Sequence, residues 1–386
     1  MIRYVTSGES HGKCLTAILE GIPSGLKISE DDINGDLARR QKGYGRGDRM
    51  KSIENDTVSI TSGVRQGRTI GSPITLTILN RDWDNWKTIM SVEKTGEKCP
   101  QITRPRPGHA DLAGILKFDT EEIRNILERS SARETAARVA VGSICKKFLS
   151  EFGIKIASYV NEIDGVKSKN VLLGIDEIIL RSELSSVRCL DKSAEKLMTA
   201  AIEDAKSKGD TVGGVFTVIA DGVPVGLGSH TQWDLKLDSR LACAMMSLQA
   251  IKGVEIGGGF GMARLPGSLA HDEIFYDKRR GFYRKTNNAG GIEGGISNGE
   301  QIVVRAAMKP IPSLTSPLRS VDIKTKKPSK AQAVRSDVCA VPSAAVIGEA
   351  ITAIELTRVF SEKFGGDSMG EAEFNFRGYL DTLKMR

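Results

Sequence analysis

The stretch from Arg129 to Gly142, RSSARETAARVAVG, constrains this chain more than any other. Ser131 and Glu134 stand at capping-box spacing, which predicts a helix start, and apolar residues at Val141, Ile144, Cys145 and Phe148 carry the helix to about Phe152. Arg129, Ser130, Ser131 and Arg133 crowd its entrance, and Arg138 follows Glu134 by one turn. Backbone N–H groups, the helix dipole and guanidinium forks all favour an oxyanion at such a place. A capped amphipathic helix with a solvated charged face uses the same residues, so the choice depends on the rest of the chain.

Placement of charge bears on that choice more than its sum, a formal +7. Between Arg39 and Arg49, and between Arg104 and Arg133, arginines sit beside Gly, Pro and Ser in loop-like sequence, as fixed phosphate and carboxylate clamps require. Only 5% of residues are aromatic, which leaves few stacking platforms for bases and tells against single-stranded nucleic-acid binding. With 386 residues, 40% of them hydrophobic, the chain can bury a large core, and length alone suggests two or more packed units. The six cysteines show no CxxC pair and no metal-ligand spacing, which reads as reduced thiols in a cytoplasmic protein. Neither a signal peptide nor a run long enough to span a bilayer is present in the sequence, so no membrane role is expected.

Taken in order, Ile2–Thr6 and Leu15–Leu19 read as strands joined by SGESHGK, which carries Ser10 and His11 between two glycines. A loop histidine is often only a surface residue, but flanking glycines let backbone and imidazole approach a ligand. Ser29 with Glu30, Asp31 and Asp32 starts a helix to about Arg40, which leads into QKGYGRGDRM with Arg46 and Arg49. That loop is not a dinucleotide fingerprint, because G-x-G-x-x-G is not completed: position 48 is Asp. Residues 59–79 alternate as strands and hairpins do, and Trp83 and Trp86 read as packing. In RPRPGHADLAG, His109 precedes a short apolar helix. It reads either as a helix cap or, with arginines beside it resisting protonation, as a residue poised to exchange a proton near neutral pH.

A helix over about 120–127 is expected ahead of the Arg129 stretch; 154–191 reads as a strand and a less regular stretch, 193–207 as an amphipathic helix and 213–227 as a hairpin. A helix from about Asp238 to Ala250 runs into KGVEIGGGFGMA, and NNAGGIEGGISNG repeats the glycine richness ahead of the strand QIVVRAAM and then KPIPSLTSP. Glycine clusters are usually hairpin turns; several of them close to Lys309, Ser313 and Thr315 look like walls around a flat cofactor and its phosphate. Arg335 and Asp337 stand ahead of Pro342, which suits the first turn of a long helix to about Phe364. They read either as a surface ion pair or as a base held by arginine. The polar residues 365–386 form a C-terminal tail of a kind that is commonly mobile.

Eight of these stretches, SGESHG, RRQKGYGRGDRM, RPRPGHADLAG, RSSARETAARVAVG, KGVEIG, NNAGGIEGGISNG, KPIPSLTSPLRSVD and RSDVCAVP, occur in an order that resembles the chorismate synthase family over nearly the whole chain. The resemblance implies an α+β fold, a β-α-β sandwich with helices between antiparallel sheets and an internal pseudo-repeat. It makes residues 1–364 a single domain, assembled as a homotetramer, and so replaces the length-based guess of two units.

The implied activity is anti-1,4-elimination of phosphate from 5-enolpyruvylshikimate 3-phosphate to give chorismate, with reduced FMN and no net redox change. Carried over residue by residue, the resemblance makes His11 the acid for the leaving phosphate and puts His109 at the proton near flavin N1. Asp337 is similar to the aspartate that helps flavin N5 take the ring proton. Substrate binding is implied for Ser10, Arg40, Arg46, Arg49, Arg106, Arg133 and Arg335. Flavin binding is implied for Arg129, Ser130, Ser131, Gln249, Ala250, Gly294, Lys309, Pro310, Ile311, Pro312, Ser313, Thr315 and again Arg335. Reduced flavin is then expected either from NADPH through this chain or from an external flavin reductase. A basic RNA-binding protein and a flavin-independent phosphate lyase are the competing readings, to be separated by salt-dependent nucleic-acid binding and by the need for flavin.

Overall fold

The computed structural model describes residues 1–47, 55–96, 99–169, 173–278, 281–333 and 336–385. Two antiparallel sheets repeat one connectivity. In the first, β1 (Arg3–Ser7), β2 (Cys14–Glu20), β3 (Val58–Ser62) and β4 (Ile74–Leu79) lie in the order β1-β2-β4-β3. In the second, β5 (Lys155–Ile163), β6 (Gly214–Asp221), β7 (Ile251–Ile256) and β8 (Ile302–Met308) lie in the order β5-β6-β8-β7, with Val166–Lys167 added beyond β5. Each half takes its strands in the spatial order first, second, fourth, third, and each inserts a helix between its second and third strands. These helices are α1 (Glu30–Gln41) and, in the second half, Leu237–Met246. This shared order is the pseudo-repeat.

After its fourth strand the first half continues through α2 (Asp111–Phe118), α3 (Ile123–Ser130) and the long α4 (Thr135–Ser150). The second half contains α5 (Ile175–Leu184), α6 (Lys192–Ser207) and α7 (Leu237–Met246), then ends in α8 (Val341–Phe364) and α9 (Met369–Lys384). Helix α4 packs on β2 and β4, α8 packs on β5 and β6, and the two helices pack on each other, so the helical layer fills the space between the sheets. That explains why α8 is buried nearly all round rather than along one stripe. Close contact between the two helices depends on Gly142 of α4, where a Cβ would lie 2.4 Å from the Cβ of Ala350 on α8.

One ion network is built into this layer. Glu349 of α8 is fully buried, yet Arg39 donates to both of its oxygens at 2.7 and 2.8 Å, Ser158 at 2.7 Å and Lys146 at 3.0 Å, while Arg188 reaches it at 3.3 Å. Burial alone would push this carboxyl up; Lys146, Arg39 and Arg188 outweigh it and hold the group well below the usual carboxylate range. Arg39 and Lys146 also share Asp36, so α1, α4, α8 and β5 meet at one balanced cluster.

Most elements lie where the sequence predicts them: Ser29 forms the full capping box of α1, and Pro342 sits in the first turn of α8. Four differ. Residues 213–227 are not a hairpin: β6 pairs with β5 and β8, which are distant in sequence, and leaves the sheet after Asp221. The less regular stretch before residue 191 contains α5, whose Ile175 and Ile178 cover Ala157 and Ile219 on the outer face of the second sheet. Helix α7 stops at Met246, which puts Gln249 and Ala250 in the turn before β7. Beyond Gly365 the chain forms α9, capped by Ser368, with Ala372 buried and Phe376 and Tyr379 against the core. Its polar sequence hides this docking because the apolar contacts are few and widely spaced.

Removing the buried carboxylate in Glu349→Ala leaves Arg39, Lys146 and Arg188 with only Asp36 and Glu183 to balance them among the described residues, a change expected to cost about 3–5 kcal/mol. Chemical denaturation at pH 7 should show this loss; a midpoint equal to wild type would mean that packing alone carries the layer.

Candidate active site

The Arg129 stretch turns out to be a junction between two helices rather than a single entrance. Arg129 and Ser130 are the last turn of α3, whose N-cap is Glu122. Ser131 then caps a 3-10 turn, Ala132–Glu134, that leads directly into α4. The capping box with Glu134 is not made; Ser131 caps one residue earlier. The Ser131 hydroxyl accepts from the Arg133 N–H at 3.3 Å, but Glu134 turns away to accept from Thr6 Oγ1 at 2.9 Å and from Arg138 at 3.0 Å. Tertiary partners outbid the local one because Glu134 is buried beside β1, where an ionised carboxylate needs charged or hydroxyl donors.

This junction holds the Ser10–His11 loop. Ser10 Oγ lies 3.2 Å from Ser131 Oγ, and the Ser10 N–H donates to the Glu128 carbonyl at 3.0 Å. Arg129 reaches the same end of β1, donating to the Gly8 and Thr6 carbonyls at 3.1 and 2.8 Å. His11 Nδ1 lies 2.9 and 3.0 Å from the two oxygens of Glu128, and Trp86 stacks on its ring at 3.9 Å between centroids. Neither Glu128 nor the stacking of Trp86 was legible in the sequence. The chain order separates Glu128 from His11 by 117 residues, and a tryptophan in a loop gives no signal beyond packing.

Behind the loop lie two of the arginines expected to bind substrate. Arg133 donates to Asp56 at 2.6 Å and to Asn80 Oδ1 at 2.9 and 3.0 Å. Arg40 reaches Asp56 at 3.5 Å and also bonds Thr135 Oγ1 and the Ala132 carbonyl at 3.0 and 3.1 Å. Asn80 in turn donates to the Glu9 and Gly12 carbonyls at 3.2 and 2.7 Å, which ties the His11 loop to the arginine pair. Two guanidinium groups here share the Asp56 carboxylate.

His109 is held by other groups. Its Nδ1 lies 2.5 Å from Asp111 Oδ1, and Arg106 donates to Asp111 at 2.8 and 3.0 Å and to the Ser313 hydroxyl at 2.8 Å. The helix-cap reading fails, since the N-cap of α2 is Ala110. Arginine is not the ring's one charged neighbour, because the Asp111 carboxylate, only 1% exposed, faces His109 together with Arg106, whose Nη2 lies 3.0 Å from Nδ1. Burial would push Asp111 up, but hydrogen bonds from His109 and Arg106 hold it well below the usual carboxylate range. Lys309 Nζ donates to the Gly108 carbonyl at 2.5 Å, and Pro312 lies beside Gly108, so the 309–313 loop is laid against the His109 loop. Ile311 accepts from Thr211 Oγ1 at 2.7 Å, Pro310 runs beside Gly213, and Thr315 packs on Gly209.

Gln249 bridges the two regions. Its Nε2 lies 3.5 Å from Glu134, the carbonyl of Ala250 accepts from Lys309 N–H at 2.9 Å, and its buried Oε1 has no partner among the described residues. Gly294 forms part of a hairpin turn between Ile292–Glu293 and Ile296–Ser297. The other glycine clusters are explained by packing: a Cβ on Gly257 would lie 2.2 Å from the Asn288 carbonyl, and one on Gly290 2.4 Å from the Gly257 nitrogen.

Asp337 is held by arginine, but the arginine seen on it is Arg46, Nη1 to Oδ2 at 2.5 Å, and the Gly47 N–H adds a bond at 2.7 Å. Arg49 and Arg335 lie outside the described residues. All six cysteines are unpaired, and burial pushes the thiols of Cys145 and Cys339 up to about 12, which removes Cys339 as a nucleophile near Asp337. No helix among the described residues is long and apolar enough to cross a membrane.

Two histidines, each facing a buried carboxylate, stand among arginines on a two-sheet sandwich with its helices between. Comparison with known proteins makes this specific. The family model described as chorismate synthase matches residues 2–360. Chorismate synthases from Geobacter sulfurreducens and Geobacter metallireducens are 59% and 58% identical over the whole of both chains, and the one from Desulforamulus reducens is 59% identical over 96% of each. A crystal structure of chorismate synthase is 46% identical, with a TM-score of 0.81 over 100% of this chain and 99% of that one. The chain belongs to the chorismate synthase family and is an enzyme of the lyase class.

Pairing with Asp111 stabilises the fold above the ordinary carboxylate pKa of 3.8 and is lost as pH falls below it, because the folded value is the lower one. In Asp111→Ala the Arg106 guanidinium loses its carboxylate, a change worth about 3–5 kcal/mol at pH 7. The gap in thermal midpoint between wild type and variant should therefore narrow as pH falls below that value. A gap that is constant with pH would remove the ion pair from the account.

Proposed function

We propose that this chain converts 5-enolpyruvylshikimate 3-phosphate into chorismate and phosphate, the last step of the shikimate pathway, by anti-1,4-elimination with reduced FMN and no net redox change. The observation that carries the reading is the backing of each family histidine by a buried carboxylate inside an arginine-rich surround. A substrate with two carboxylates and a phosphate needs several fixed cations, and Arg40, Arg46, Arg106 and Arg133 provide them without titrating. Arg49 and Arg335 would join them, and Ser10 would offer its hydroxyl.

The residues present fit a flavin. The unpartnered, buried Oε1 of Gln249 is an acceptor waiting for an N–H donor, as the imide of the isoalloxazine ring provides, and it adjoins both Ala250 and Glu134. Arg129, Ser130, Ser131, Gly294, and the 309–313 loop with Thr315 would complete the flavin site. When bound, reduced FMN supplies electron density to the substrate ring as phosphate departs and is not consumed.

The chain's own residues do the rest. His11 delivers a proton to the leaving phosphate. His109 holds the proton near flavin N1. Asp337, oriented by Arg46 and the Gly47 N–H, assists removal of the ring proton. The supply of reduced flavin, by NADPH through this chain or by an external reductase, assembly as a homotetramer and a cytoplasmic setting belong to the same proposal.

In an anaerobic assay, turnover should require reduced FMN, and turnover in its absence would favour a flavin-independent lyase. His11→Ala and His109→Ala should each lower kcat by about tenfold or more while FMN still binds. Asp337→Asn should bind both ligands and show a larger isotope effect with ring-deuterated substrate. Normal rates in all three would remove these residues from the mechanism.

A further inference from the structure

We infer that Glu128 is the positioning residue of His11: it accepts the proton on Nδ1, fixes the ring, and so makes Nε2 the nitrogen that exchanges a proton with the departing phosphate. The catalytic half of this statement rests on the proposed reaction; the tautomer does not.

Glu128 lies in the last turns of α3, is 4% exposed, and makes four contacts with two successive residues of the loop. Its carbonyl accepts from the Ser10 N–H at 3.0 Å, and its Oε2 accepts from the His11 N–H at 2.8 Å. These two bonds suffice to anchor the loop backbone. The two further contacts, at 2.9 and 3.0 Å, both go to Nδ1 and serve only the ring.

An ionised carboxylate accepts and cannot donate, so the nitrogen facing it must carry the hydrogen. Burial would push Glu128 up, but the hydrogen bonds and charge of His11, with Arg124, keep it below its ordinary range and therefore ionised.

The ring's remaining freedom is removed from the side. Trp86 lies on the imidazole at 3.9 Å and a tilt of 36°, and its indole N–H is held by Asp82 at 2.9 Å. Arg124 closes the circle: it lies 5.1 Å over the Trp86 ring and 3.3 Å from Glu128 Oε1, one helical turn away. His11, Glu128, Arg124 and Trp86 thus form a closed set in which rotation of the imidazole breaks two contacts with carboxylate oxygens and one stacked face. Outer-sphere carboxylates that orient a histidine in this way typically contribute ten- to a hundredfold in metal-site chemistry.

The chain has four histidines, so imidazole nitrogen resonances of ¹⁵N-histidine-labelled protein can be assigned with His11→Gln as the reference. Without ligand, wild-type His11 should show Nδ1 protonated. Glu128→Leu should shift it toward the Nε2–H form that water favours, and kcat should fall by about tenfold or more with KM little changed. Glu128→Gln, which keeps the shape and an acceptor oxygen, should retain the fold and the Nδ1–H signal and recover part of kcat. An Nδ1–H signal that survives in Glu128→Leu would overturn the assignment, as would equal activity in all three proteins. If Glu128→Leu does not fold, Glu128→Gln with the signal of an unrestrained imidazole would overturn it instead. A wild-type protein that shows the Nδ1–H signal but makes no chorismate would sink the proposed reaction and leave the positioning role standing.

Discussion

A carboxylate sealed from water holds this molecule's layers in register. Glu349 sits in the middle of a helix buried on nearly every side, and its cations come from α1, α4 and the turn that carries Arg188. An ion pair in such a place is weak evidence of extra stability, because desolvation offsets the Coulomb gain. Its value is directional. An apolar contact tolerates sliding between helices, whereas a carboxylate with its acceptor sites filled by fixed donors tolerates little. With Gly142 letting α4 and α8 touch, the network specifies how the two halves of the repeat meet.

The site uses the same physics nearer its mouth. Arginines gather there, and each cluster contains a carboxylate, buried at Asp56 between Arg40 and Arg133, at Asp111 beside Arg106 and at Glu128 by Arg124, and half-buried at Asp337 on Arg46. Unbalanced guanidinium groups would repel one another and open the loops that carry them. Balanced ones are held in fixed orientation. The carboxylates therefore serve the folding of these loops. At His11 and His109 they also face a ring nitrogen.

Much of this was legible in the chain. The capped start of α1, Pro342 at the start of α8, the strands of the first sheet and the arginine-bearing loops all have local signals: a cap, a fixed φ, an alternation. The errors share one physical cause. The stretch 213–227 looks like a hairpin because its partners are far away in sequence, and Glu134 looks like a capping residue because its true partners, Thr6 and Arg138, cannot be ranked without the fold. The last turn of α3 extends into what reads as the entrance of the next helix, so Arg129 and Ser130 belong to the end of one helix and Ser131 to the start of the next.

The sequence by itself determined most of the element types, the clustering of arginine in loops, the residues carried by the family resemblance and hence the family. Those follow from local stereochemistry and from motif order, neither of which needs long-range contacts. Only tertiary structure decided which acid serves which base. Glu128, Asp111, Trp86 and Asp56 carry no local mark, and Arg46 meets Asp337 from the far end of the chain. Charge pairing acts over a few ångströms in space, across 117 residues of chain for His11 and Glu128 and across 291 for Arg46 and Asp337, so no reading of spacing along the chain could have supplied it.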